Sequence, residues 1–178
     1  MNRQEERKKE LDQYGFSEDV LVKLYGLVDV KNYMRHTEIR DEFVNEGTTI
    51  LPIMHKLLHS EDLIIRKSAI KVVELVAHES SIPELILRLE DRESEIRWIA
   101  GEALIKIGRK SIKPLLKALV AGGSSYYLQQ GARHVLVELV SQKKDSKELN
   151  QLVNLLKSEI ILPDKVPVDA AKALKNIS

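Results

Sequence analysis

The sequence predicts an all-α superhelix, an α-solenoid of about four helix pairs, on three observations. A motif recurs along the chain: Arg66-x-x-Ala69-x-x-x-Val73-x-x-Val76, Arg97-x-x-Ala100-x-x-x-Leu104-x-x-Ile107, Gln129-x-x-Ala132-x-x-x-Leu136-x-x-Leu139 and Pro167-x-x-Ala170-x-x-x-Leu174-x-x-Ile177. Prolines stand at Pro52, Pro83 and Pro114, spaced by 31 residues each time. Apolar residues within a unit, such as Leu85, Ile86 and Leu89, recur at helical spacing. Self-similarity at this period marks units that bury their apolar faces by stacking on one another.

Residues 1–48 read as an irregular helical segment, a candidate degenerate capping repeat. The first dozen residues form a charged helix that either covers one end or frays. Ser17-Glu18-Asp19 opens a helix carrying Val20, Leu21, Leu24, Leu27 and Val28. A shorter helix, capped by Thr37, carries Ile39, Arg40 and Phe43 and stops at Gly47, with Phe43 where the repeats place alanine. Terminal repeats of solenoids are commonly atypical, because one face meets water.

Residues 49–178 divide into repeats at about 49–79, 80–110, 111–145 and 146–178. Thr48 or Thr49 opens the first. In the second, Ser81 is the expected cap of a helix with Pro83 and Glu84 in its first turn. The turn Glu90–Ser94 breaks it, a second helix runs from about Glu95 to Ile107, and Gly108 ends that helix. Ser111 and Pro114 open the third repeat, which has a looser turn at residues 121–125. Ser146 opens the fourth after the polar connector 141–145, with a longer internal loop around Pro163 and Pro167.

Composition narrows the function. A chain of 178 residues with 43% hydrophobic side chains supports one ordinary core. Zero cysteines exclude disulfides, thiolate metal sites and a cysteine nucleophile. The N-terminus is charged from the start, and no stretch approaches the roughly 20 apolar residues of a membrane span. The cytoplasm is therefore the expected location. Net charge is +1, and residues 1–48 carry 8 basic and 11 acidic side chains against 20 and 16 in residues 49–178. Neither part supplies the basic stripe that phosphate neutralisation needs, and 4% aromatics leave few stacking platforms, so nucleic acid is disfavoured.

The recurring pattern resembles HEAT repeats, particularly the short variety named after phycobilisome lyases. Ile65-Arg66-x-x-Ala69-x-x-x-Val73 and Ile96-Arg97-x-x-Ala100-x-x-x-Leu104 are close matches, with weaker copies at Ala132 and Ala170, where Gln129 and Pro167 replace the arginine. The resemblance implies a right-handed stack of helical hairpins whose second helices line a concave surface holding a partner. The repeating alanine lets the two helices of a hairpin approach closely. The repeating arginine is expected to satisfy carboxylates or helix-end carbonyls of the neighbouring repeat, with Asp62 and Glu93 four residues before each.

Helical geometry then picks out the face of each second helix that points away from the core. It consists of Lys67, Lys71 and Glu74; Trp98, Glu102 and Ile105; Gln130, His134 and Val137; and Val168, Lys172 and Lys175. Trp98 is the only tryptophan. An exposed aromatic among Ile105, Val137 and Val168, bordered by Lys67, Lys71, His134 and Lys172, is the anatomy of a binding hot spot. The alternative is that Trp98 lies flat against an adjacent helix or the N-terminal segment and fills space. Arg133 flanks this surface and either joins it or pairs with an acid. Tyr126 and Tyr127, after the Gly-Gly-Ser-Ser turn, are a secondary candidate contact, although such tyrosines more often pack beneath their loop.

His55 and His59 lie four apart on one helix without a third ligand, so surface histidines are expected rather than a metal site. Neither a nucleophile elbow nor a marked acid pair stands out. The favoured function is a non-enzymatic scaffold that binds another protein or a peptide segment on its concave face, without a cofactor. Two alternatives remain. One is an enzyme or accessory subunit similar to the bilin lyases, which handle a linear tetrapyrrole. The other is a nucleic-acid-binding protein similar to the helical-repeat DNA glycosylases.

Overall fold

The computed structural model describes residues 2–29, 31–122, 125–140, 145–158 and 164–177. Its elements are α1 (Arg3–Asp12), α2 (Glu18–Leu27), α3 (Tyr33–Asn45), α4 (Leu51–Leu57), α5 (Leu63–Val76), α6 (Ile82–Arg88), α7 (Ser94–Ile107), α8 (Ile112–Gly122), α9 (Tyr126–Leu139), α10 (Lys147–Lys157) and α11 (Lys165–Lys175). No strand occurs among the described residues, and the architecture is an all-α solenoid of helical hairpins. Contacts gather into two compact units, Met1–Val76 and Ala77–Ser178, so the first repeat groups with the N-terminal helices.

In the first unit α4 pairs with α5, α2 with α3, and α3 with α5. Phe43 and Ala69 are fully buried. The first helix is anchored rather than frayed. Asn2 and Glu5 form a reciprocal capping box. Leu11 is buried, Arg7 Nε donates to both carboxylate oxygens of Asp62 (2.9 and 3.0 Å), and the Ser60 hydroxyl donates to Glu10. The third helix starts earlier than Thr37. Asn32 accepts from the Arg35 amide (3.1 Å) and caps it one turn upstream, leaving Thr37 inside.

The recurring arginine acts within its own repeat. Arg66 Nη1 donates to the carbonyls of Ser60 (2.8 Å) and Glu61 (3.0 Å), and Arg97 Nη1 to those of Asp91 (2.7 Å) and Arg92 (3.1 Å). These are turn carbonyls six and five residues back, not groups of a neighbouring repeat. The same turns are closed by a side-chain oxygen, Ser60 Oγ accepting from the Asp62 amide and Asp91 Oδ1 from the Glu93 amide. Each short turn is thus held from both sides. Repeat three has Gln129 at the arginine position and glycine at 122, and there α8 runs on to Gly122 before Ser125 caps α9.

Ser81 stands at the N-cap position of α6 without a side-chain capping bond, and Ser111 ends the turn directly before α8. Both are fully buried in short 3₁₀ turns that lead into α6 and α8, and Ser111 Oγ donates to the Leu104 carbonyl (2.9 Å) at the end of α7. Pro52 and Pro83 occupy first-turn positions, where a missing N–H costs nothing. Ala69, Ala100, Ala132 and Ala170 are all fully buried. Ala100→Leu is therefore expected to overpack its hairpin and cost about 1–3 kcal/mol. Urea denaturation reads this as a lower midpoint at unchanged slope.

In the second unit α6 pairs with α7 and α8 with α9, while α7 lies along α9 and α6 along α8. The last hairpin reverses this order: α10 packs on α9, and α11 packs on α8 and α10. Its inward stripe, Val166, Asp169, Ala170 and Ala173, presents the small residues that let α11 lie close. Arg109 holds the start of the hairpin, donating to the Leu139 carbonyl (3.0 Å) and gripping the Asp145 carboxylate with two nitrogens. Ser146 then caps α10, accepting from the Leu149 amide (3.2 Å). Gly123, Ser124, residues 141–144 and Pro163, which the sequence places in loops, lie outside the described residues.

Candidate functional site

Helices α7, α9 and α10 of the second unit enclose an open cavity of about 690 Å³. The 3.6-residue period puts Trp98 on the side of α7 opposite the buried Ile96, Ala100, Ala103 and Leu104, so the core holds its backbone while the indole meets solvent. Trp98 is 59% exposed, and its ring stacks on His134 of α9 (centroids 4.5 Å apart, planes 27° apart). His134 Nε2 in turn donates to Glu102 Oε1 (2.7 Å), back on α7. The imidazole can lie this close to α7 because residue 101 is glycine: a Cβ there would stand 3.0 Å from His134 Cδ2. The indole is thus a preset platform with two supports.

A second aromatic enters the cavity. Tyr127 is 45% exposed, and the Arg97 guanidinium lies over its ring with Cζ 4.1 Å from the centroid. Arg97 therefore does two things. One nitrogen clamps the turn before α7, and the planar cation braces Tyr127. Tyr126 is 68% exposed and meets Tyr127 edge-on without lining the cavity. Both tyrosines are exposed.

The charged lining is mainly positive. Arg97, Arg133 and Lys157 face one carboxylate, Glu138. Arg133 and Lys157 are exposed and have no hydrogen-bond or ion-pair partner among the described residues. No three His, Cys, Asp or Glu side chains among the described residues are grouped to hold a metal ion.

The structure brings Trp98, Gln130, Arg133, His134 and Val137 together in this cavity, with Glu102 as the support of His134. Ile105 is half-buried on α7 and outside the lining. Lys67 and Lys71 belong to α5 of the first unit, where Lys71 pairs with Glu74 (2.9 Å). Lys172 is displaced from the expected floor, because the reversed hairpin sets α11 against α8; there it pairs with Asp169 (3.0 Å). The lysine that reaches the cavity is Lys157, from α10.

No helix among the described residues is long and apolar enough to cross a membrane. No match is found among curated proteins. The family model for HEAT repeats matches residues 50–137, which span the hairpins α4/α5, α6/α7 and α8/α9 and stop before the reversed one. With its clamped turns, its buried alanines and this match, the chain carries HEAT repeats over residues 50–137.

Proposed function

We propose that the chain is a non-enzymatic adaptor that holds a segment of a partner protein against the α7–α9 face of its second unit. HEAT repeats generally serve as protein-interaction scaffolds. The observation that carries the choice of face is Trp98, a large aromatic kept 59% exposed and braced by His134 at the mouth of a cavity. Hot spots of protein interfaces are rich in tryptophan, tyrosine and arginine, and Trp98, Tyr127 and Arg133 stand together here. A segment in extended or helical form would lay one side chain on the indole and run along α9.

The test is selection from a random 12-residue peptide display library, with Trp98→Ala as the counter-selection. Clones retained by the wild type and rejected by the variant are the expected result. A library that yields no clone distinguishing the two overturns the reading. A cavity of this volume also falls within the range of small-molecule sites, so pigment handling is the competing reading. Incubation with biliverdin is expected to leave its visible spectrum unchanged. A shifted spectrum that Trp98→Ala abolishes favours the lyase-like alternative instead.

A further inference from the structure

We infer that the occupant of this cavity is an acidic segment with one apolar or aromatic anchor, its Asp or Glu side chains meeting Arg133 and Lys157 and its anchor lying on Trp98. The inference rests on the peptide-holding reading above and adds the chemistry of the ligand.

Three observations support it. First, three cations and one carboxylate line the cavity. Clefts with one sign of charge and low-dielectric walls concentrate ligands of the opposite sign. Second, the cations differ in availability. Arg97 is engaged by two carbonyls and by Tyr127, so it is part of the wall. Arg133 and Lys157 are exposed and unpaired among the described residues, so a ligand carboxylate gains their hydrogen bonds without breaking existing ones. The guanidinium fork of Arg133 matches a carboxylate in two parallel bonds. Third, the aromatic platform lies in the same cavity as these cations, which favours a ligand offering an apolar group close to its charge.

A peptide fits this better than a nucleic acid. Backbone phosphates demand a row of cations tracking the strand, and sequence-tolerant binding stacks successive bases on several aromatics. Here three cations border one local cavity.

The test takes the strongest clone from the display selection as a labelled synthetic peptide and measures its affinity by fluorescence anisotropy. Its Asp and Glu residues are then changed to Asn and Gln. The amide version is expected to bind more than about 10-fold more weakly, as are the Arg133→Gln and Lys157→Gln variants, since each loses a charge-assisted hydrogen bond. Raising salt from 50 to about 500 mM is expected to weaken the acidic peptide and spare the amide one. Both substitutions are at exposed positions, and the peptide-side change needs no protein variant at all. Selected peptides that lack acidic residues, or whose amide versions bind within about twofold, overturn the inference while leaving the peptide groove standing. Displacement of the acidic peptide by an equal concentration of a 12-nucleotide oligothymidylate also overturns it, in favour of a phosphate ligand. A selection with no clone at all removes the underlying reading instead.

Discussion

Replacing Arg66 with methionine is expected to destabilise the protein by about 2–4 kcal/mol, the cost of withdrawing a charged donor from one buried and one part-buried carbonyl. Arg66 is 3% exposed, and its Nη1 serves the carbonyls of Ser60 and Glu61 together. Methionine keeps the apolar stem and removes the donor, so the loss reports the clamp rather than a cavity. For a chain of this length 1 kcal/mol moves the midpoint by about 2–4 °C, so a fall in Tm of roughly 4–16 °C is expected by calorimetry. The same change at Arg97 is expected to cost less, about 1–2 kcal/mol, because that side chain is only half-buried and water can replace it at the Arg92 carbonyl. Equal and small effects at both positions would mean that the turns hold without their arginines.

Replacing Trp98 with alanine is expected to weaken a selected peptide about 30-fold, the scale of a hot-spot residue worth about 2 kcal/mol. Stability is expected to change little, with Tm within about 2 °C of wild type, because the indole is 59% exposed and His134 keeps its bond to Glu102. The two variants dissociate the roles of the face. Arg66→Met loses stability in the first unit without touching the cavity residues, and Trp98→Ala loses binding without losing the fold. A Trp98→Ala protein that unfolds near room temperature would instead mark the indole as part of the core.

The repeats are legible in the sequence because their packing is local. Arginine, alanine and proline recur at fixed offsets, each for a reason that repeats with them: a turn to clamp, a helix crossing to fit, a first turn that needs no N–H. The same locality made the outward face of α7 and α9 readable, so Trp98, Gln130, Arg133, His134 and Val137 follow from helical period alone. What depends on longer reach was not legible. Ser81 and Ser111 fit an N-cap pattern, but the chain tightens into 3₁₀ turns that bury them. The reversal of the last hairpin is set by which helix α11 can pack on, a choice between α8 and α9 that a helical pattern does not encode. That reversal is why Lys157 stands where Lys172 was expected. The pairing of Arg97 with Tyr127 has no sequence signal either: the sequence sets Tyr127 on a separate loop and Arg97 toward the neighbouring repeat, and only the fold brings the guanidinium 4.1 Å from the ring.

The most direct measurement of the central claim is acrylamide quenching of the single tryptophan, with and without a saturating selected peptide. Trp98 is the sole source of tryptophan emission, so the signal reports on this cavity alone. In the free protein, emission at a water-exposed wavelength and efficient quenching are expected, as 59% exposure requires. Bound peptide is expected to shift the emission to the blue and to shield the indole from quencher. An indole that stays as quenchable when the peptide is saturating as when it is absent would place the binding surface elsewhere and contradict the account.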